Sequence, residues 1–238
     1  MPDSRLLHGD ALELLPTLPS LSVQAVVTDP PYASGGLTAQ ERARPPGTKY
    51  TQSGQKLAWE TFAGDSMDQH AWAMFTYRWL SECHRIADDG SPLVVFSDWR
   101  QLPLLTTLVQ WSGWRWLGVA VWDKTEACRP CKGRFAHQAE FVVWGAKGRF
   151  PLSRNAPVLA GVFRHSVERP GIKQHLTGKP LALMHDLLAI VEPGSIVLDP
   201  FAGSGTTLLA ARNRGLSGIG IEVSDHYHRV ASQRLAQE

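Results

Sequence analysis

The stretch from Ser195 to Gly215 constrains the fold more than any other. Ser195–Leu198 is a short apolar, β-branched run behind Pro193-Gly194, and Thr207–Gly215 reads as a helix closed by glycine. Between them stands Asp199-Pro200-Phe201-Ala202-Gly203-Ser204-Gly205-Thr206. A buried strand that enters a glycine-rich turn and leaves as a helix has the geometry of a nucleotide-type cofactor loop. The third glycine of the dinucleotide pattern is missing, because Leu208 occupies its place. The turn names a class of site, and the rest of the chain has to say which member.

The surrounding pattern alternates strand and helix. Strands are expected at Arg5–Asp10, Val23–Thr28, Pro92–Ser97, Trp116–Trp122, Glu140–Trp144, Ser195–Leu198 and Ser217–Val223, from β-branched content and bounding turn residues. Helices are expected at Ala11–Leu18, Ser66–Ala87, Arg100–Trp111, Pro180–Val191, the stretch after the glycine turn, and Asp225–Leu235. Trp72, Phe75, Trp79, Cys83 and Ile86 recur at helical spacing, with Asp65 or Ser66 as the cap. The alternation predicts an α/β fold: a doubly wound, mostly parallel sheet of about seven strands. Only 116–144 holds consecutive strands with no helix between them, so the antiparallel strand belongs there. Residues 33–64 and 149–174 show no period, and a loop of such length in a compact domain is usually functional or disordered. The domain expectation is a catalytic part at 1–148, a target-recognition segment at 149–174 and a cofactor-binding part at 175–238.

No apolar run is long enough to span a bilayer, and the first five residues do not read as a signal peptide. Three cysteines argue against a disulfide framework and for a reducing cytosol. The net charge is only +2, but residues 125–179 hold ten Lys/Arg against three Glu. Such an asymmetry suits a basic face for a polyanion on an acidic body, or a solvated cluster.

Four strands end in acids: Asp10, Asp29, Asp199 and Glu222. Ligands of open α/β sheets bind beyond such ends, although any single acid there serves equally as a helix cap. Glu222 follows Gly205 by seventeen residues, where an acid accepts from ribose hydroxyls. No Gly-Lys-Ser/Thr is present, which argues against ATP hydrolysis. Asp29-Pro30-Pro31-Tyr32 is the most specific feature. Its prolines remove two backbone donors and leave the Asp29 carboxylate and the Pro30 carbonyl as acceptors beside an aromatic ring. That set suits an exocyclic amino group on a flat base; the bland alternative is a strand-ending turn.

Asp29-Pro30-Pro31-Tyr32 together with Asp199-Pro200-Phe201-Ala202-Gly203-Ser204-Gly205 resembles the DNA amino-methyltransferases, in the beta order of their motifs. His175-Leu176-Thr177-Gly178-Lys179-Pro180 is similar to the motif ahead of the family's cofactor strand, and Gly9-Asp10 to its adenine-side acid. The stretches around Ser34-Gly35-Gly36, Trp99–Pro103 and Trp122-Asp123-Lys124 also resemble methyltransferases carried by phages and prophages. The resemblance implies methyl transfer from S-adenosylmethionine to adenine N6 in double-stranded DNA, with cytosine N4 as the alternative. Asp in the first catalytic position favours adenine. It implies catalytic roles for Asp29, Pro30, Pro31 and Tyr32, and cofactor roles for Asp10, Lys179, Asp199, Phe201, Gly203, Gly205, Thr206 and Glu222. The base has to be flipped out of the duplex. Lys49, Arg149, Arg154, Arg164, Arg169 and Lys173 are the expected DNA contacts, in 149–174 and in the 33–64 loop. Dimers are common in the family, so a homodimer is compatible with it, and the sequence marks no interface.

Other readings are weaker. Pro130-Cys131 resembles a cytosine-C5 nucleophile, but a different catalytic motif already fills that place. Cys128 and Cys131 with His137 fall short of four zinc ligands, so no metal is expected. An inactive cofactor-binding relative leaves the intact Asp29–Tyr32 motif unexplained. A nicotinamide dehydrogenase shares only the turn and one acid. Trp72, Trp79, Trp116, Trp122 and Trp144 are expected in the core.

Overall fold

The computed structural model describes residues 3–33, 67–128, 132–151, 158–167 and 178–237. Its strands are β1 (Ser4–His8), β2 (Ala25–Thr28), β3 (Pro92–Ser97), β4 (Arg115–Asp123), β5 (Ala139–Ala146), β6 (Val162–Arg164), β7 (Ile196–Asp199) and β8 (Ser217–Glu222). Its helices are α1 (Ala11–Leu14), α2 (Gln69–Ile86), α3 (Leu102–Trp111), α4 (Leu181–Leu187), α5 (Thr206–Asn213) and α6 (Asp225–Ala236). Short 3-10 turns extend α1 and α4. The eight strands form one sheet in the order β1-β8-β7-β2-β3-β5-β4-β6.

Strand β5 pairs antiparallel with both β3 and β4, and the other pairings are parallel. The sheet is therefore mixed, with one reversed strand where the missing crossover helix placed it. The eighth strand is β6, three residues inside the aperiodic 149–174 segment. It has no sequence period of its own and forms because Val121–Asp123 offers an open edge.

Strands β2 and β7 lie side by side, Val26 facing Leu198. From β2 the chain winds toward β3, and from β7 toward β8 on the other side. This is the topological switch point of the sheet, where the strand ends splay and leave a crevice.

Central strands are apolar on both sides because helices cover both faces. Val26, Leu93 and Val95 face Trp72, Trp79, Leu80 and Leu105, from α2 and α3. Their alternates Val27, Val94 and Phe96 face Leu183, Met184, Leu187 and Ala210, from α4 and α5. Asp68, not Asp65 or Ser66, caps α2, accepting from His70 N and Ala71 N at 2.9 Å each. Trp116 is exposed rather than core, because β4 carries a register shift between Trp116 and Gly118. Trp114 is buried instead, donating from Nε1 to Leu80 O at 3.0 Å. Trp72, Trp79 and Trp122 are buried as expected, and Trp144 is half-buried. Among the described residues, no helix is long and apolar enough to cross a membrane.

Candidate active site

The carboxyl ends of β1, β8, β7 and β2 are neighbours, so the topology gathers Asp10, Glu222, Asp199 and Asp29 along one edge. They are engaged in different ways. Asp10 is exposed and caps α1, accepting from Leu12 N at 2.8 Å. Glu222 accepts from Gly203 N and from Ser224 N, both at 2.8 Å. Asp199 is buried and accepts from Thr28 Oγ1 at 2.7 Å and Phe201 N at 3.0 Å. Burial pushes Asp199 up to about 6 and raises Glu222, against the pull of these hydrogen bonds.

The glycine turn is held from inside. Phe201 N points to Asp199, Ala202 N to Ile221 O, Gly203 N to Glu222 and Gly205 N to Ala202 O. A turn that cradles a pyrophosphate presents its N–H groups outward to the anion; here four of them face protein acceptors. Gly205 has φ 80, in the left-handed region, and a Cβ there would stand 3.0 Å from Ala231 Cβ. The Phe201 ring packs 5.4 Å from Trp79 and 5.7 Å from Phe75. The Thr206 hydroxyl oxygen accepts from Arg234 NH1 at 3.1 Å.

The loop after β2 is pinned by helix residues that sequence reasoning did not single out for it. Trp72 Nε1 donates to Pro31 O at 2.8 Å, and Gln101 Nε2 donates to Tyr32 O at 2.8 Å. Gln101 is itself held by Gln69, whose Nε2 donates to Gln101 Oε1 at 2.9 Å. Among the described residues, nothing donates to the Pro30 carbonyl. The prolines explain part of this, since neither Pro30 nor Pro31 has an N–H to offer.

Asp29 sits in a network of charges. Its Oδ1 accepts from Tyr32 OH, and its Oδ2 from Lys179 Nζ, each at 2.5 Å. Glu140 Oε1 lies 2.9 Å from both Lys179 Nζ and Tyr32 OH, and Glu140 Oε2 lies 3.0 Å from Lys124 Nζ. Lys179, expected at the cofactor, thus directs its ammonium to the two carboxylates. Burial pushes Asp29 up, and Lys179 only partly reverses this. Burial also opposes ionisation of Glu140, but Lys179 and Lys124 outweigh it and bring Glu140 down to about 2. Burial would lower Lys179, yet Asp29 and Glu140 raise it. Tyr32 is pushed well up by burial and by both carboxylates.

Glu140 was absent from the expected set. Its signal was slight: an acid opening the otherwise apolar Glu140–Ala146 run, which cannot be buried without cations. Because β5 is reversed, its first residues lie at the same edge as the end of β3, Phe141 facing Ser97.

The expected DNA contacts are not gathered as a group. Arg164 ends β6 on the site's edge, bonded to Glu126 at 2.9 Å and 3.6 Å from Asp123. Arg149 follows β5, whose last residue faces Pro92, and so lies at the opposite edge. Lys49, Arg154, Arg169, Lys173 and His175 lie outside the described residues, as do Trp59, Pro130 and Cys131.

Residues 23–233 match the family model described as DNA methylase. The chain belongs to that family, the N6/N4 amino-methyltransferases. It is 30% identical over 239 residues to the putative methylase YubD of Escherichia coli (strain K12), covering 98% of this chain and 90% of that protein. The solved M1.HpyAVI–SAM complex superposes with a TM-score of 0.71 at 25% identity, covering 98% of each chain. The cytosine-N4-specific PvuII DNA methyltransferase shares the fold, with a TM-score of 0.71 at 18% identity, over 98% of this chain and 86% of that one.

S-adenosylmethionine is the methyl donor of this family, and the site's chemistry fits it. The turn offers carboxylates and inward-facing amides, which suit a cationic sulfonium and hydroxyl groups and do not suit a diphosphate. Asp10, Asp199, Gly203 and Glu222 lie together at the carboxyl ends of β1, β7 and β8.

Proposed function

We propose that this chain methylates N6 of adenine in double-stranded DNA, on a base flipped out of the helix. The observation that carries this reading is the pair of acceptors after β2. The Pro31 and Tyr32 carbonyls are taken by Trp72 and Gln101, while the Pro30 carbonyl beside Asp29 is left without a donor among the described residues. Asp29 and Pro30 O then receive the two hydrogens of an exocyclic amino group.

Accepting both hydrogens localises the amino lone pair, which is otherwise conjugated into the base. Bound S-adenosylmethionine supplies the electrophilic methyl group that this lone pair attacks. The N–C bond forms as the S–C bond breaks, and the amino nitrogen then sheds a proton toward Asp29. Burial makes Asp29 a stronger base than an exposed carboxylate, which suits that step. Tyr32 offers its ring to the base, and Trp72 and Gln101 hold the loop so that the acceptors need no rearrangement. Arg164 on the same edge supplies a cation for the phosphates, and Lys49, Arg154, Arg169 and Lys173, outside the described residues, are its proposed companions.

The same two acceptors serve the N4 amino group of cytosine, so the choice of adenine rests on Asp29 at the first motif position. Mass spectrometry of nucleosides from duplex DNA treated with protein and cofactor tests it. N6-methyladenine is expected. N4-methylcytosine alone overturns the base, and no methylated base despite cofactor binding overturns the activity.

A further inference from the structure

Glu140 lies far in sequence from the Asp29–Tyr32 motif, yet it touches Tyr32, Lys179 and Lys124 at once. The Tyr32 hydroxyl carries one proton and stands between two carboxylates, 2.5 Å from Asp29 Oδ1 and 2.9 Å from Glu140 Oε1. It donates to one of them at a time. With the hydroxyl on Oδ1 and Lys179 on Oδ2, each oxygen of Asp29 already accepts one hydrogen bond and keeps a second lone pair. An amino group that donates to Oδ1 shares that oxygen with the hydroxyl, and it meets a stronger acceptor once the hydroxyl is released.

We propose that Glu140 is the positioning residue that releases it. When a target amino group reaches Asp29 Oδ1, the Tyr32 hydroxyl turns about its C–O bond and donates to Glu140 Oε1 instead. The proton stays on the tyrosine oxygen, and no covalent bond forms or breaks. This rests on reading Asp29 as the amino-group acceptor.

Three features fit. The second acceptor already lies within hydrogen-bond range, so no backbone has to move. Lys179 is shared between Asp29 and Glu140, and Lys124 caps the far oxygen of Glu140, so the acceptor stays ionised. The charges balance as well, two ammonium groups (Lys179 and Lys124) against two carboxylates (Asp29 and Glu140).

The test uses the full chain with Glu140→Gln, Glu140→Asp, Tyr32→Phe and the Glu140→Gln/Tyr32→Phe double variant. Glu140→Gln should lower kcat roughly tenfold to a hundredfold, the scale of one charge-assisted hydrogen bond, with KM for duplex and cofactor within about threefold. Glu140→Asp keeps a charge for the lysines but shortens the reach to the hydroxyl, so it should melt near wild type and still lose kcat. With Tyr32 already Phe, Glu140→Gln should lose most of its effect, because there is no hydroxyl to receive. A readout independent of activity is the carbon-13 resonance of the tyrosine Cζ. The chain has four tyrosines, and the signal missing in Tyr32→Phe is that of Tyr32. It should shift in Glu140→Gln.

Unchanged kcat in both Glu140 variants, or an equal loss with and without the hydroxyl, overturns the proposal. An unshifted Tyr32 resonance overturns it whatever the activity. A wild-type protein that methylates no base sinks the functional reading instead, and the resonance then decides whether Glu140 engages the hydroxyl.

Discussion

The two halves of the site, on neighbouring strands, manage buried acid in opposite ways. At the end of β2, Asp29 and Glu140 are neutralised by the ammonium groups of Lys179 and Lys124. At the ends of β7 and β8, Asp199 and Glu222 are met by a threonine hydroxyl and backbone amides. Burial pushes Asp199 up to about 6, and hydrogen bonds from neutral hydroxyls and an amide offset it only in part. Two ammonium groups outweigh burial at Glu140 and bring it down to about 2, whereas Asp29, with one, stays raised. The amide-held half is fixed by hydrogen bonds from neutral groups and carries no counter-cation among these contacts. The lysine-held half is a balanced cluster in which one hydrogen bond can be exchanged for another.

The largest effect that can break this division comes from Asp29→Ala. Methyl transfer to duplex DNA should fall by about 10³-fold or more, the cost of losing a preorganised group at the reacting centre. Calorimetric binding of S-adenosylmethionine should persist, because the amide-held half does not use Asp29. Loss of both together would make Asp29 a structural residue and erase the distinction.

The second prediction reads the two halves through pH. Asp199 is raised from 3.8 to about 6, so the native state takes up a proton there before the unfolded chain does. Its contribution to stability is complete below the unfolded value and is lost as pH rises through about 6. Glu140 is lowered from 4.5 to about 2, so its contribution is complete above 4.5 and is lost as pH falls toward 2. Urea unfolding of wild type, Asp199→Asn and Glu140→Gln should therefore diverge in opposite directions. From pH 7 to pH 4, wild type should gain on Asp199→Asn by on the order of 2 kcal/mol. Below pH 4.5 it should lose ground to Glu140→Gln. Slopes of the same sign would show that the two halves are neutralised alike.

A smaller effect lies behind the glycine turn. Leu208 occupies the place of the missing third glycine, whose usual duty is close helix–strand packing. The structure moves that duty to β8. A Cβ on Gly218 or Gly220 would stand 2.6 Å from a Leu208 methyl. Gly220→Ala should destabilise by about 1–3 kcal/mol in urea unfolding, as overpacked cores do. Adding Leu208→Ala should restore part of the loss. Two independent, additive losses would mean that the glycine and the leucine do not share one space.

The glycine turn and the Asp29–Tyr32 motif were legible because each is a local run whose chemistry follows from neighbours in sequence. The substitute for the third glycine was in plain sight as Gly218 and Gly220, but its meaning depends on β8 lying under α5. Glu140 was illegible for the same kind of reason: its cations, Lys124 and Lys179, reach it only through the pairing of β5 with β3 and β4. The strand β6 escaped because three residues carry no period and its edge partner is set by tertiary structure. The cap of α2 was placed a few residues early because Asp65, Ser66 and Asp68 are all competent caps, and the register of Trp72 and Trp79 against the sheet decides among them.

Arg149 gives the smallest expected effect and the sharpest use of strand direction. From sequence it was grouped with Arg164 as a DNA contact, since both lie in one basic segment. But β5 runs against the sheet, so the chain leaves it at the edge opposite Asp29, with Gly90 N bonded to Lys147 O there. Eight residues of strand separate the two edges, about 25 Å at strand rise. That is several Debye lengths at physiological salt, so the Arg149 charge is screened from a duplex bound at the site. Arg149→Ala should leave KM for DNA within about twofold. Arg164→Ala should raise it and flatten its salt dependence, as removal of one phosphate contact does. A clear rise in KM with Arg149→Ala would mean that DNA wraps past the sheet to its far edge, and the site would then extend beyond the carboxyl ends of the strands.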